Sequence, residues 1–579
     1  MTLKTKTKKF EVEPISAWSV TKYGVTLIVN DPCGKSFKDG CSLDVEDDEQ
    51  GNFVGIGLFD GEVCWYWSDW EVAKLLTIPH FVAHNGITDL RKLQAWGFKI
   101  DESWLLWDTQ LIAHVIDSSL KQYGLKALAK NQLGIEYPSY QDITGKGKSH
   151  VTLKDVPSEL VAEYNAMDCY ATYKLYESQV KQLTKDTDIL DTTYYQKLEK
   201  PVQPIFYGME QKGITVDLAY LRDLKDTLEA QIMAVKLPIL NELGNVNLNS
   251  PKQLLEALNA KQIQPTLKGK PSTDKRALEP LKNHLLVSGL LKYSELSTLL
   301  SSFVYPYLER AQGNEATIVV HPRFNQCGTR TGRPSCANPN LLQIPRRTDN
   351  GKLVRRMFVA RSGQLFGDCD FGQIEPRVLA HLSKDPVLCE MFNNGVDFHT
   401  FTAERLSISR DRAKVLNLSV GYRATYKSVS QQLKCSWRDA EQQIEQWWSL
   451  FPHLYDWQQR LIHESRQSGY CTTLLGRRIK IEALQTSNEW RREGAERQLI
   501  NNITQGSAAE IMKRAMIGIA KTELKDFHLL VQVYDELLCE SPNMENDIHE
   551  VVYQMENAME LDVPLTVDAT IGRTWGELH

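Results

Sequence analysis

The sequence predicts a mixed α/β chain of about two to four domains, and three observations carry that expectation. Its 579 residues, 42% of them hydrophobic, exceed what one core can serve. Near the start, β-rich runs at 41–46, 53–59 and 63–67 alternate with turn residues in a meander pattern. Between about 186 and 310 the pattern turns helical, and beyond it apolar strand-like runs meet carboxylates at Asp370 and at Asp535-Glu536.

Composition narrows the class only a little. A formal net charge of −6 neither supports nor excludes nucleic-acid binding, because phosphate contacts need local basic patches and not a basic total. The eleven cysteines lack a Cys-x2-Cys pair or a nearby His at zinc spacing, which argues against a zinc site or a disulfide scaffold and fits a reducing compartment. The Lys-rich start, residues 1–9, lacks the apolar core of a signal peptide, and no apolar run is long enough for a bilayer. The expectation is a cytoplasmic protein without membrane contact.

In the first third, Asp44 and Glu46 sit two apart on one strand and so share a face. The acids that follow at Asp47, Asp48 and Glu49 leave a solvated acidic edge as the alternative. At 81–90 an apolar strand meets a Gly turn and places Asp89 in the first turn of a helix, where an acid is commonly only a dipole partner. Tyr164 and Asp168, four apart, share a helix face. Singly each is bland; together the four carboxylates are the right number to hold two hard cations, with Tyr164 placed to orient a water.

The helical middle opens one helix at 198–201 and stops it at Gly213, and it starts another at a Ser250-Pro251 cap. Farther on, Asp370 ends a strand just before a polar turn into a helix. Asp535 and Glu536 form a tight acidic turn between apolar runs, where repulsion favours a divalent cation or a raised pKa. Arg410, Lys414, Leu418 and Tyr422 recur every four residues and predict one helical stripe, cationic and then apolar and aromatic. Such a stripe suits a triphosphate and a flat base; an ordinary amphipathic helix is the alternative. Arg497, Asn501 and Gln505 form a second face at that spacing, suited to nucleic acid or simply to solvent.

Asp370-x2-Gln-Ile-Glu-x-Arg377, Arg410-x3-Lys414-x7-Tyr422 and Asp535-Glu536 resemble, in order, the three polymerase motifs of the DNA polymerase I family, family A. Asp44, Glu46, Asp89, Tyr164 and Asp168 resemble the exonuclease motifs of the DEDD proofreading superfamily in its tyrosine form. The resemblance runs from about residue 40 to the C-terminus. It implies an RNase H-like exonuclease domain at 1–185 and a right-hand polymerase domain at 186–579. Within the latter it implies a thumb at about 195–310, a palm at about 311–400 and 500–579, and fingers at about 401–499.

The same resemblance implies a template-directed DNA polymerase with 3′–5′ proofreading, serving viral DNA replication. Asp370 and Asp535 would hold two Mg²⁺, with Mn²⁺ able to substitute, beside Glu536 and Lys414; Asp44, Glu46, Asp89 and Asp168 would hold the exonuclease pair. Arg410, Lys414 and His399 would meet the triphosphate, Glu375 and Leu418 the sugar side, Gln373 the incoming nucleotide, and Tyr422 would stack near the templating base. Arg333, Asn340, Gln343, Arg497, Asn501, Gln505 and Tyr534 would contact DNA. Implied partners are primer-template DNA, deoxyribonucleoside triphosphates and replisome proteins such as a helicase-primase and a single-strand binding protein.

Departures from the family pattern are Asp47-Asp48, Pro334, Pro376, Leu418 and Tyr534. An exonuclease so near the start leaves no room for a 5′-nuclease domain, which points to a phage replicative enzyme. Two rivals stand: an exonuclease whose second half only binds primer-template, and an RNA-synthesising enzyme, against which Glu375 argues.

Overall fold

The computed structural model describes residues 19–31, 36–185, 193–313, 315–346 and 349–578. The Lys-rich start lies outside the described residues. None of the described helices is long and apolar enough to cross a membrane.

Six strands form the first sheet: β1 (Thr26–Val29), β2 (Cys41–Asp47), β3 (Phe53–Phe59), β4 (Val63–Trp67), β5 (Phe81–Ala83) and β6 (Leu105–Asp108). Their order is β1-β4-β3-β2-β5-β6, an antiparallel β2-β3-β4 meander with parallel neighbours on both sides. Alternation along β2 divides its side chains. Leu43 and Val45 join the core under α1 (Gly86–Ala95), while Asp44 and Glu46 point the other way, toward the long helix α2 (Ser158–Lys185). Gly57, opposite Asp44, lets that helix approach: a Cβ there would lie 1.7 Å from Asn165 Oδ1.

Next comes α3 (Lys200–Lys212), stopped at Gly213 with φ +62°. It continues a π-turn at Tyr195–Glu199, so the helical run begins before the 198–201 start that Pro201 suggested; a proline in the first turn costs no hydrogen bond. Ser250 caps the helix Pro251–Ala260 as expected, its side chain accepting from Gln253 N. The turn-rich stretch 321–345 contains a hairpin, Arg323–Asn325 against Ser335–Ala337.

The second major sheet is antiparallel, with β7 (Leu365–Phe371), β8 (His528–Val533), β9 (Glu536–Ser541) and β10 (Val567–Gly572) in the order β8-β9-β7-β10. Cys369 and Phe371 pack beneath it with Ile511, Met512 and Met544, which leaves Asp370 on the opposite face. The helix after β7, α4 (Ile374–Ser383), carries Pro376 in its first turn, where a missing N–H is harmless. Then follow α5 (Phe398–Leu406), α6 (Arg410–Val420), α7 (Trp437–Leu450) and α8 (Glu489–Ala520).

One expected feature fails here. The α6 helix ends at Val420 and Gly421, so Tyr422 is not the last member of its stripe. Its N–H bonds to Ser419 O in a turn, and the ring leaves the helix toward α4.

Candidate active sites

Asp44, Glu46 and Asp168 each offer an oxygen, and these oxygens all lie within 4.8 Å of one another. Glu46 is 8% exposed, which excludes the solvated-edge alternative. Burial first, then the neighbouring carboxylates, pushes Asp44 and Glu46 above the usual carboxylate range. Asn165 Nδ2 donates to Asp44 Oδ2 at 2.7 Å and fixes its angle. Three mutually repelling oxygen donors with no soft ligand among them fit a hard divalent cation.

Asp89 departs from the expected quartet. It stands beside the trio and outside it, buried, with Oδ1 accepting from Val45 N at 3.3 Å. Burial and the Asp44 charge raise its pKa. Asp47 and Asp48 hold the nearby backbone: Asp47 pairs with Lys92 at 2.6 Å, and Asp48 accepts from Asn52 N at 2.9 Å.

Two further residues belong to this site. Lys126, from the short helix Leu125–Leu128, pairs with Asp168 Oδ1, its Nζ 3.9 Å from the Tyr137 ring centroid and 4.1 Å from that of Tyr164. Tyr137 donates its hydroxyl to Asp168 Oδ1 at 2.6 Å. Lys126 lies within the local run Gly124-Leu-Lys-Ala-Leu128, and nothing near Tyr137 announces it. Asp44, Tyr164 and Asp168 open into a cavity of 850 Å³ whose far wall is Cys327, Gly328, Thr329 and Arg330 from the hairpin loop of the second half.

In the second half, Asp370 at the end of β7 meets the turn between β8 and β9, where Phe371 N donates to Asp535 O at 3.0 Å. Burial first, then the Asp370 charge, pushes the Asp535 carboxyl up to about 6. Two such carboxylates fit a hard cation whose remaining ligands come from phosphate and water.

Glu536, expected beside them as a catalytic group, is turned inward. Its oxygens accept from Arg355 Nη1 at 3.2 Å, Trp575 Nε1 at 3.1 Å and Arg346 Nη1 at 3.2 Å, and its side chain is 2% exposed. Three donors hold it as an anchor between sheet and chain end.

Around this centre Glu375 joins two expected residues. Arg333 Nη2 donates to one oxygen at 2.6 Å and Tyr422 Oη to the other at 2.5 Å. Tyr534, exposed and at φ +59°, holds its ring 5.7 Å from the Arg333 guanidinium. On α6, Arg410 pairs with Asp397 at 3.1 and 3.2 Å, while Lys414 and Leu418 face solvent. Gln373 donates to Asp397 at 2.8 Å. Against the burial that would raise it, hydrogen bonds from Arg410, Thr400 and Gln373 hold Asp397 far below the usual carboxylate range. His399 is buried on α5, its ring facing the Arg410 and Lys414 charges.

The expected DNA contacts are divided. Gln343 is exposed, whereas Asn340 caps the turn Leu341–Gln343 by accepting from Leu342 N. Arg497, Asn501 and Gln505 lie half-buried along one face of α8.

Two carboxylate centres on two separate sheets, one against a long helix and one before a cationic helix, define a two-site protein with a nuclease-like and a polymerase-like half. Residues 218–577 match DNA polymerase family A, and residues 66–184 match a 3′-5′ exonuclease family. The chain belongs to DNA polymerase family A.

It is 32% identical to DNA polymerase I of Borreliella burgdorferi, over 86% of this chain and 56% of that one. It is 34% identical to the Bacillus subtilis DNA polymerase I, over 81% of this chain and 55% of the relative. The chain thus spans about half the length of these relatives. The POL domain of Pol1 from M. smegmatis, solved in complex with DNA primer-template and dNTP, superposes with a TM-score of 0.81 at 28% identity, covering 93% of this chain and 96% of that one.

Proposed function

We propose that the chain is a template-directed DNA polymerase that adds deoxyribonucleotides to a primer 3′ end and edits with a separate 3′–5′ exonuclease. The observation that carries this reading is the convergence of Asp370 and Asp535 at adjoining strand ends, in a half separate from the Asp44, Glu46 and Asp168 trio. The relatives' names and the primer-template and dNTP of the solved relative support it. The exonuclease domain is 1–185 and the polymerase domain 186–579, with thumb, palm and fingers as the sequence divides them.

Asp370 and Asp535 would hold Mg²⁺ in one site and Asp44, Glu46 and Asp168 in the other, with Asp89 alongside, and Mn²⁺ would substitute. When bound, the ions supply the positive charge that phosphoryl transfer needs at the attacking and leaving oxygens. Arg410 leaves Asp397 to join Lys414 and His399 on the triphosphate, and Lys414 protonates the departing pyrophosphate. Glu375, fixed by Arg333 and Tyr422, fills the space a 2′-hydroxyl would need. In the exonuclease site Tyr164 orients the attacking water. The described cysteines are free thiols, which supports work in a reducing cytoplasm. DNA replication alongside a helicase-primase and a single-strand binding protein is the role this activity serves.

A second reading, an exonuclease whose other half only binds primer-template, is favoured by one observation: Arg346 rests on Asp370. Primer extension in Mg²⁺ from a mismatched 3′ end decides between them. Asp370→Ala should lose extension alone and Asp44→Ala mismatch removal alone. A wild-type protein that trims but never extends a matched primer would leave only the second reading.

A further inference from the structure

Behind the cationic end of α6 lies a buried polar chain in which every hydrogen-bonding role is forced. Asn417, on α6 and 3% exposed, has its carboxamide enclosed by Trp447, Thr402, Phe398 and His399. Trp447, from α7 and fully buried, brings its indole Nε1 to 2.7 Å from Asn417 Oδ1. An indole N–H can only donate, so that atom must be the amide oxygen. On the other side Asn417 Nδ2 reaches the carbonyl oxygen of Phe398 at 3.0 Å, and a carbonyl can only accept. The amide is therefore oriented twice over, without reference to its histidine neighbour.

The remaining N–H of Asn417 points at His399 Nδ1, 3.0 Å away. A ring nitrogen that faces a donor must accept, so the neutral imidazole carries its proton on Nε2. Among the described residues Nε2 has no hydrogen-bond partner. The charged groups that face the ring are Asp397, Arg410 and Lys414. Protonating Nδ1 would set two N–H groups against each other, and burial, ahead of the Arg410 and Lys414 charges, already lowers the ring's pKa.

We propose that Asn417 and Trp447 are positioning residues that lock His399 as an Nε2–H donor aimed at the phosphates of the incoming nucleotide. The proposal rests on reading Arg410, Lys414 and His399 as the triphosphate cradle. A donor of fixed tautomer meets a phosphate oxygen without first rearranging its proton, whereas an unlocked ring presents a lone pair to the anion part of the time. Trp447 never touches the nucleotide; it acts through the amide.

Long-range ¹H–¹⁵N spectra of the full chain labelled on histidine, with His399→Gln assigning the signal, read the tautomer directly. Wild type should show a protonated Nε2 and an unprotonated Nδ1. Asn417→Asp keeps acceptors for Trp447 but cannot donate, so the ring should switch to Nδ1–H and its pKa should rise. Nucleotide KM should increase about tenfold with kcat changed less than about twofold, and the pH profile of KM should move upward with the pKa. Trp447→Phe keeps most of the ring but removes the N–H. With the Phe398 carbonyl then alone in orienting the amide, it should give a minor Nδ1–H population and a smaller rise in KM, which keeps the test decisive if Asn417→Asp fails to fold.

An Nδ1–H ring in wild type, or variants that leave the ring unchanged, would overturn the lock. A locked ring whose replacement in His399→Ala leaves nucleotide KM unmoved would overturn its role toward phosphate, while extension by wild type keeps the polymerase reading intact.

Discussion

Arg346 Nη1 stands 3.0 Å from Asp370 Oδ2, so a permanent cation rests on one of the two carboxylates proposed to hold a divalent ion. The Arg346 side chain is 37% exposed, and Glu536, which it also meets, is held by Arg355 and Trp575 as well. Arg346→Ala should therefore fold normally and lower the Mg²⁺ concentration for half-maximal extension by about threefold, the scale of one partly exposed ion pair. A Mg²⁺ titration of primer extension checks this. A higher demand for Mg²⁺ would mean that Arg346 instead holds primer or triphosphate.

The junction between the two halves should be acid-sensitive through His114. Its Nε2 donates to Thr329 O at 2.8 Å, and its Nδ1 accepts from Arg477 Nη2 at 3.0 Å. Burial first, then the Arg477 charge, holds its pKa well below the ordinary value of 6.5. The unfolded chain takes up that proton as pH falls through about 6.5 while the folded chain does not, so stability present above that pH is lost below it. Between pH 7.5 and 5.5 this group alone removes up to about 1.4 kcal/mol. Thermal melts at the two pH values should show a smaller drop for His114→Gln than for wild type; equal drops would exclude His114 as a source.

The parts of both sites legible in the sequence are those written at short range. Two-residue alternation placed Asp44 and Glu46 on one face of β2, and four-residue spacing placed Tyr164 and Asp168 on one face of α2. Arg346 and Tyr137 were illegible because each reaches its acid from a loop far away in sequence, where no period exists to read. The inward anchoring of Glu536 was illegible for a like reason: its neighbour Asp535 is local, but the Trp575 that holds it arrives from the chain's end. Tyr422 shows the opposite error, a period extended one residue past the turn at Gly421 that ends it.

Lys126 should matter most when no metal is present. It is the cation paired with Asp168 amid carboxylates that burial and mutual repulsion already raise. Lys126→Met keeps the stem's apolar contacts with the two tyrosine rings but removes the charge, and in chelator it should cost roughly 2–3 kcal/mol of stability. Mg²⁺ should then raise the melting temperature of the variant more than that of wild type, because the ion replaces the lost charge. An unchanged or higher melting temperature in chelator would show that Lys126 costs as much to bury as it returns.

Leu418 lies one helical turn beyond Lys414 on α6 with 49% of its surface exposed, a large apolar side chain with no core to join. If the cationic end of α6 grips the triphosphate, the next turn lies beside the sugar and base, and this surface is covered only when a nucleotide is bound. A branched aliphatic covers less of a flat ring than an aromatic does, and a stacked aromatic adds about 1 kcal/mol beyond area alone. Leu418→Phe should therefore lower nucleotide KM by about three- to tenfold in single-nucleotide incorporation, with little change in melting temperature because the site is open in the free protein. Leu418→Ala should move KM the other way by a similar factor. Were both variants to keep the wild-type KM, the incoming nucleotide would have to lie off this stripe, and Lys414 would have to meet it from another side.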